Sequence, residues 1–155
     1  GGALVIPRGL IDRLRGDRSH EPDVHARETE RIERLAVDAV LAAEHALGRE
    51  PHEMARNNKG YDIQSRTGEF GELLFIEVKG RVAGASEFTI TKSEILTSLN
   101  KPDHFILALV EVGDDDATSV SYLRKPFPGT EEIYFEMTSA SYRWDDLFKR
   151  GGDPS

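Results

Sequence analysis

Three residues in the middle third of the chain have the types and spacing for phosphate chemistry: Asp62, Glu77 and Lys79. They lie in two short runs, Tyr61-Asp-Ile-Gln-Ser65 and Leu73-Leu-Phe-Ile-Glu-Val78, that read as the arms of a hairpin. If the arms pair symmetrically about the Glu69–Phe70 bond, positions whose numbers sum to 139 stand opposite each other. Ile63 then faces Ile76 and Tyr61 faces Val78 on an apolar side, while Asp62 faces Glu77 and Gly60 faces Lys79 on the other. Opposed side chains sit roughly 4.5–5.5 Å apart at Cβ, and like charges there repel. Two carboxylates that close ask for a cation. Magnesium suits them, because it needs only one or two carboxylates beside its waters and a substrate phosphate; manganese should substitute. Lys79 points to the same face as Glu77, where an ammonium can steady charge developing on a phosphoryl oxygen. Gln64 shares that face and could contact substrate or water, and Gly60 and Gly80 leave room for a backbone to approach. The register is an assumption that a one-residue slip would overturn.

The elements around this hairpin read as a mixed α/β layout. From about Val24 to Leu47, Ile32, Leu35, Ala36, Ala39, Val40, Ala43 and Leu47 recur with helical spacing, and Gly48 and Pro51 stop the run. Thr91-Lys-Ser-Glu94 has the form of a capping box, so a second helix should run from Thr91 to about Asn100. Phe105 to Val112 is a continuous apolar run of strand length, as in a buried central strand. Ser119–Leu123 and Glu132–Met137 read as further strands, and Trp144–Lys149 as a short closing helix. The order α, β, β, α, β, β places helices against a sheet. Residues 1–23 read as a linker or N-terminal arm, 24–150 as one domain, and 151–155 as a disordered tail.

Composition narrows the classes. The 155 residues contain no Cys, which excludes disulfides, thiolate metal sites and a thiol nucleophile. No apolar run is long enough to span a bilayer, and the chain opens Gly-Gly with neither Met nor a leader. A cytoplasmic piece of a longer polypeptide is the expectation. Net charge is −8, which argues against tight passive binding of nucleic acid. The charge is uneven: residues 49–101 balance at 8 basic and 8 acidic, whereas 102–155 carry 5 and 11, so a polyanion should meet the middle.

Asp62 followed by Glu77-Val-Lys79 at the end of an apolar strand resembles the PD-(D/E)XK nuclease signature, with Tyr61 in place of the proline. The wider runs Lys59-Gly-Tyr-Asp-Ile63, Phe75-Ile-Glu-Val-Lys-Gly-Arg81 and Thr91-Lys-Ser-Glu-Ile95 resemble the NO VEIN C-terminal domain family, a restriction-endonuclease-like module. Members often end bacterial superfamily-two helicases and defence-associated ATPases. Over residues 24–150 the resemblance implies a restriction-endonuclease-like mixed β-sheet flanked by helices, with magnesium-dependent cleavage of DNA phosphodiesters. It implies helicase or ATPase domains of the same polypeptide as partners, and leaves a homodimer open. By position Asp62 and Glu77 would be metal ligands, Lys79 the charge stabiliser, and Glu33 the helical acid that completes the site. The resemblance does not guarantee cleavage, so a non-catalytic DNA-guiding or protein-interaction domain is the alternative.

Each candidate has a plainer reading. Glu33 lies between Arg31 and Arg34, where most glutamates are solvated; Glu94 most simply closes the capping box with Thr91, with a role at the metal as the lesser reading. Arg81, Lys92 and Lys101 flank the site and are the best phosphate contacts, or else ordinary surface cations. The five histidines show no ligand spacing, and Glu44 and Trp144 read as structural. A spacer whose carboxylates are bridged by Arg56 or Arg66 is the dullest outcome.

Overall fold

The computed structural model describes residues 22–127 and 138–155. Its first element is the helix α1 (Pro22–Ala46), followed by strands β1 (Glu50–Glu53), β2 (Ile63–Arg66), β3 (Leu73–Val82) and β4 (Glu87–Thr91). Then come α2 (Lys92–Asn100), β5 (Phe105–Val112), β6 (Thr118–Arg124), β7 (Ser139–Arg143) and α3 (Trp144–Phe148). Five strands form one mixed sheet in the order β1-β2-β3-β5-β6. β3 and β5 run parallel at its centre and the other pairs are antiparallel, while β4 and β7 form a separate two-stranded ribbon. The mixed sheet flanked by helices that the sequence implied is the architecture observed. The strand expected at Glu132–Met137 and nearly all of the expected arm lie outside the described residues.

Alternation along β3 makes two cores. Leu74, Ile76, Val78 and Gly80 face α1, where Ile32, Ala36 and Val40 are buried against Ile106, Ala108 and Val110. Phe75, Glu77 and Lys79 face the other way, toward the apolar cluster of Phe88, Ile90, Ile95, Leu107, Leu109, Trp144 and Leu147. Both cores meet on β5, which is buried at seven of its eight positions, as expected of a strand covered on both faces. The Trp144 indole donates to Glu111 Oε1 at 3.1 Å, so this ring is core with its one polar atom satisfied.

The two glycines first read as clearance for an approaching backbone are filled by helices instead. A Cβ on Gly80 would lie 2.7 Å from Ala36 Cβ and 3.0 Å from Ile32 O, so this glycine seats α1 on β3. Gly60 has φ +112°, and a Cβ there would lie 2.3 Å from Thr97 Oγ1, so it seats the chain against α2. Residues 151–155, expected as a disordered tail, run beside β6 instead. Gly152 and Tyr122 exchange both backbone hydrogen bonds, and Arg124 donates to Ser155 O.

Candidate active site

The hairpin register is the one the alternation predicts: Ile63 pairs with Ile76 and Gln64 with Phe75. Pairing stops at Ile63, however, because the chain turns at Gly60. Tyr61 therefore does not face Val78 in the apolar patch. Its ring packs edge-on against Phe75 on the opposite face, centroids 5.0 Å apart. Asp62 donates its backbone N–H to Ile76 O at 2.9 Å, and its side-chain Oδ2 accepts the N–H of Val78 at 2.8 Å. A carboxylate thus replaces the next rung of the ladder. This bond fixes Asp62 beside Glu77 on the face that carries Lys79.

Lys79 Nζ lies 2.7 Å from Glu77 Oε1 and 2.8 Å from Glu94 Oε2. Glu77 is 4% exposed and Glu94 9%. Three carboxylates from β3, α2 and the start of β2 therefore converge around one ammonium. Burial pushes the Glu77 carboxyl well above its ordinary range, and the charges of Asp62 and Glu94 push the same way; Lys79 offsets them only in part. Asp62 is raised chiefly by burial, with the Val78 hydrogen bond and Lys79 opposing and with Glu94 and Glu33 adding. Burial works against the Lys79 ammonium, but Glu77 and then Glu94 outweigh it, so the amine stays protonated. One positive charge against three negative ones leaves the cluster short of cations.

This donor set fits a hard divalent ion. Asp62 and Glu77 present carboxylate oxygens in a partly desolvated setting, the donor type a hard divalent cation takes. Among the described residues no group of three or more His, Asp or Glu side chains forms a ready-made metal cage. Any ion would have to be completed by water and substrate, which is the habit of magnesium.

Glu94, for which the sequence favours the cap over a place at the site, does both. It closes the capping box, accepting the Thr91 N–H at 3.0 Å, and holds Lys79 with the same oxygen. The only signal for the second role was its place at the start of the helix that follows the hairpin. Glu33 is exposed on α1, yet near enough for its charge to act on Asp62. Gln64 is half-buried on the Asp62 face, opposite Phe75. Arg81 donates to Gly80 O and Glu87 O, and the exposed Lys101 places its ammonium 3.8 Å from the centre of the Phe75 ring. Lys92 begins α2, its backbone N–H bonded to Thr138 O. Arg56 pairs with Glu30 and Arg66 with Glu69 O, so neither makes the bridge that the spacer reading required.

An open groove of about 330 Å³ lies elsewhere, between the first turns of α1 and the end of β3, lined by His25, Glu28, Ile32, Arg81 and Val82. Its Ile32 wall belongs to the opposite core, so it is not the carboxylate site. Among the described residues no helix is long and apolar enough to cross a membrane.

Comparison with known proteins gives two findings and one negative result. No curated protein matches the sequence. Among solved structures the chain is similar to Hjc from Archaeoglobus fulgidus, described as a Holliday junction resolvase from an archaeal hyperthermophile. The identity is 13%, the TM-score 0.48, and the overlap covers 75% of this chain and 94% of that one. A family model described as "Protein NO VEIN, C-terminal" matches residues 32–123, from the core face of α1 to the last rungs of β6 and across all four clustered residues. That match takes in more than half of the sequence, and the chain belongs to this family.

Proposed function

We propose that this domain is a magnesium-dependent DNA phosphodiesterase, an endonuclease-like module of a longer helicase or ATPase polypeptide used in DNA processing or phage defence. The observation that carries the reading is the convergence of Asp62, Glu77 and Lys79 on one face, with both carboxyls displaced upward by burial. Asp62 and Glu77 would hold the ion, and magnesium bound there would supply an activated water and neutralise phosphate charge. Lys79 places its ammonium against the phosphoryl oxygen that gains charge during attack. Glu33 lends negative charge from α1, at the margin of the site. Gln64, Arg81, Lys92 and Lys101 are the side chains we assign to contacts with DNA, all within the charge-balanced middle of the sequence.

Asp62→Asn tests the assignment without dismantling the hairpin, because an amide oxygen can still accept the Val78 N–H. Nicking of supercoiled plasmid in magnesium or manganese should disappear in this variant, with the thermal midpoint unchanged. Equal nicking by Asp62→Asn and wild type overturns the metal role.

One observation favours a non-cleaving accessory domain: a charge of −8 gives a free domain little hold on a polyanion. In that case magnesium would give no binding heat in calorimetry, and plasmid would survive both metals.

A further inference from the structure

We infer that Glu94 is the positioning residue for Lys79, tying its ammonium to the first turn of α2 so that the amine keeps its place when Glu77 turns to a cation. The inference rests on the reading in the preceding subsection and adds a residue to that site. Its ground is the double use of one oxygen. Glu94 Oε2 accepts the Thr91 N–H at 3.0 Å and the Lys79 ammonium at 2.8 Å, so the backbone at the helix start fixes the carboxylate that holds the amine. Glu77 cannot give that service alone, because its Oε1 is taken by Lys79 while the same carboxylate is the proposed metal ligand.

The mounting is rigid. α2 is pinned by Ile95 and Ser98, both at most 2% exposed, and by Gly60, which closes on Thr97. Lys79 is anchored on the central strand of the sheet. An ammonium has three donors; Glu77 and Glu94 engage two, leaving one for a substrate oxygen. The stem of a lysine is otherwise flexible, and a free amine would lose much of its effect through misplacement.

Glu94→Gln separates the two uses of this side chain, because Gln at the third helical position still satisfies the capping box but carries no charge. Ammonium-selective NMR of the nitrogen-labelled protein in chelator, assigned with Lys79→Arg, reads the tie without any metal or substrate. Wild type should give a slowly exchanging Lys79 signal, and Glu94→Gln should lose it while the thermal midpoint stays within a few degrees. In plasmid cleavage the variant should lose roughly ten- to a hundredfold in kcat with KM nearly constant, since a charge-assisted bond that orients the amine is gone. Thr91→Ala, which weakens the cap and spares the ion pair, should keep both the signal and kcat. The inference is overturned if Glu94→Gln retains the signal and the wild-type kcat. It is also overturned if Thr91→Ala loses as much activity as Glu94→Gln at equal loss of stability. Absence of cleavage by the wild-type chain in either metal contradicts the nuclease reading instead, and the NMR signal then still decides the tie.

Discussion

Replacing Lys79 with Met should cost this fold about 3 kcal/mol at pH 8. Met fills most of the stem's space, so the change removes charge more than volume. The ammonium stands 2.7 Å from Glu77 and 2.8 Å from Glu94. At an effective dielectric of about 20 each attraction is worth about 6 kcal/mol before the cost of desolvation is subtracted. Taking one partner out of a buried ion pair typically costs about 3–5 kcal/mol, and the lower end applies here because the Lys79 side chain retains 15% of its exposure. With a urea dependence of about 2 kcal/mol per molar, the unfolding midpoint should fall by about 1.5 M. The pH dependence has a definite sign. The folded-state pKa of Glu77 already lies above its unfolded value, and losing Lys79 raises it further, so the folded variant takes up a proton more readily than the unfolded chain. The deficit must therefore shrink as pH falls from 8 toward 5, and the double variant with Glu77→Gln should recover much of it at pH 8. A midpoint within a few tenths molar of wild type at pH 8, or a deficit that widens on acidification, would refute the reasoning.

Tyr122→Phe should destabilise by about 1.5–3 kcal/mol in urea titrations, because the hydroxyl donates at 2.8 Å to Glu44, a fully buried carboxylate whose other side-chain partner among the described residues is Arg49 at 3.0 Å. Burial and then the Glu44 charge push the Tyr122 hydroxyl upward, so a Tyr122 hydroxyl that titrates no higher than an exposed tyrosine in the folded protein would contradict that pair. Gly80→Ala should cost about 1–3 kcal/mol through the 2.7 Å approach to Ala36 Cβ. Unchanged thermal stability in that variant would mean that α1 does not sit as close to β3 as described.

The sequence made the hairpin legible because one physical rule, alternation with period two, governs both its register and its buried face. Ile63 opposite Ile76 follows from that rule alone. Tyr61 broke it, since the rule holds only while strands pair, and the turn at Gly60 releases Tyr61 onto Phe75. The long helix and the apolar β5 were legible for the same reason: their burial leaves a periodic trace. β1 was not, because Glu50-Pro-His-Glu53 is an exposed edge with no apolar pattern to show. β4 did carry a trace, the buried Phe88 and Ile90 between exposed neighbours, which the sequence reading passed over.

The candidate site divides along the same line. Asp62, Glu77 and Lys79 fall within one hairpin, so local register brings them together. Glu94 reaches Lys79 only through the packing of α2 on the sheet, and no spacing in the sequence encodes that approach. Its capping role is local and was legible; its hold on the amine is tertiary and was not.

The central claim is that Asp62 and Glu77 together form a seat for a divalent ion. Anomalous diffraction from crystals soaked in manganese tests it without needing the right substrate. The account predicts a peak within coordination distance of both carboxylates in the wild-type chain, and none there in Asp62→Asn. A wild-type map with no peak between these two groups, or with manganese bound only at other surface acids, would contradict it.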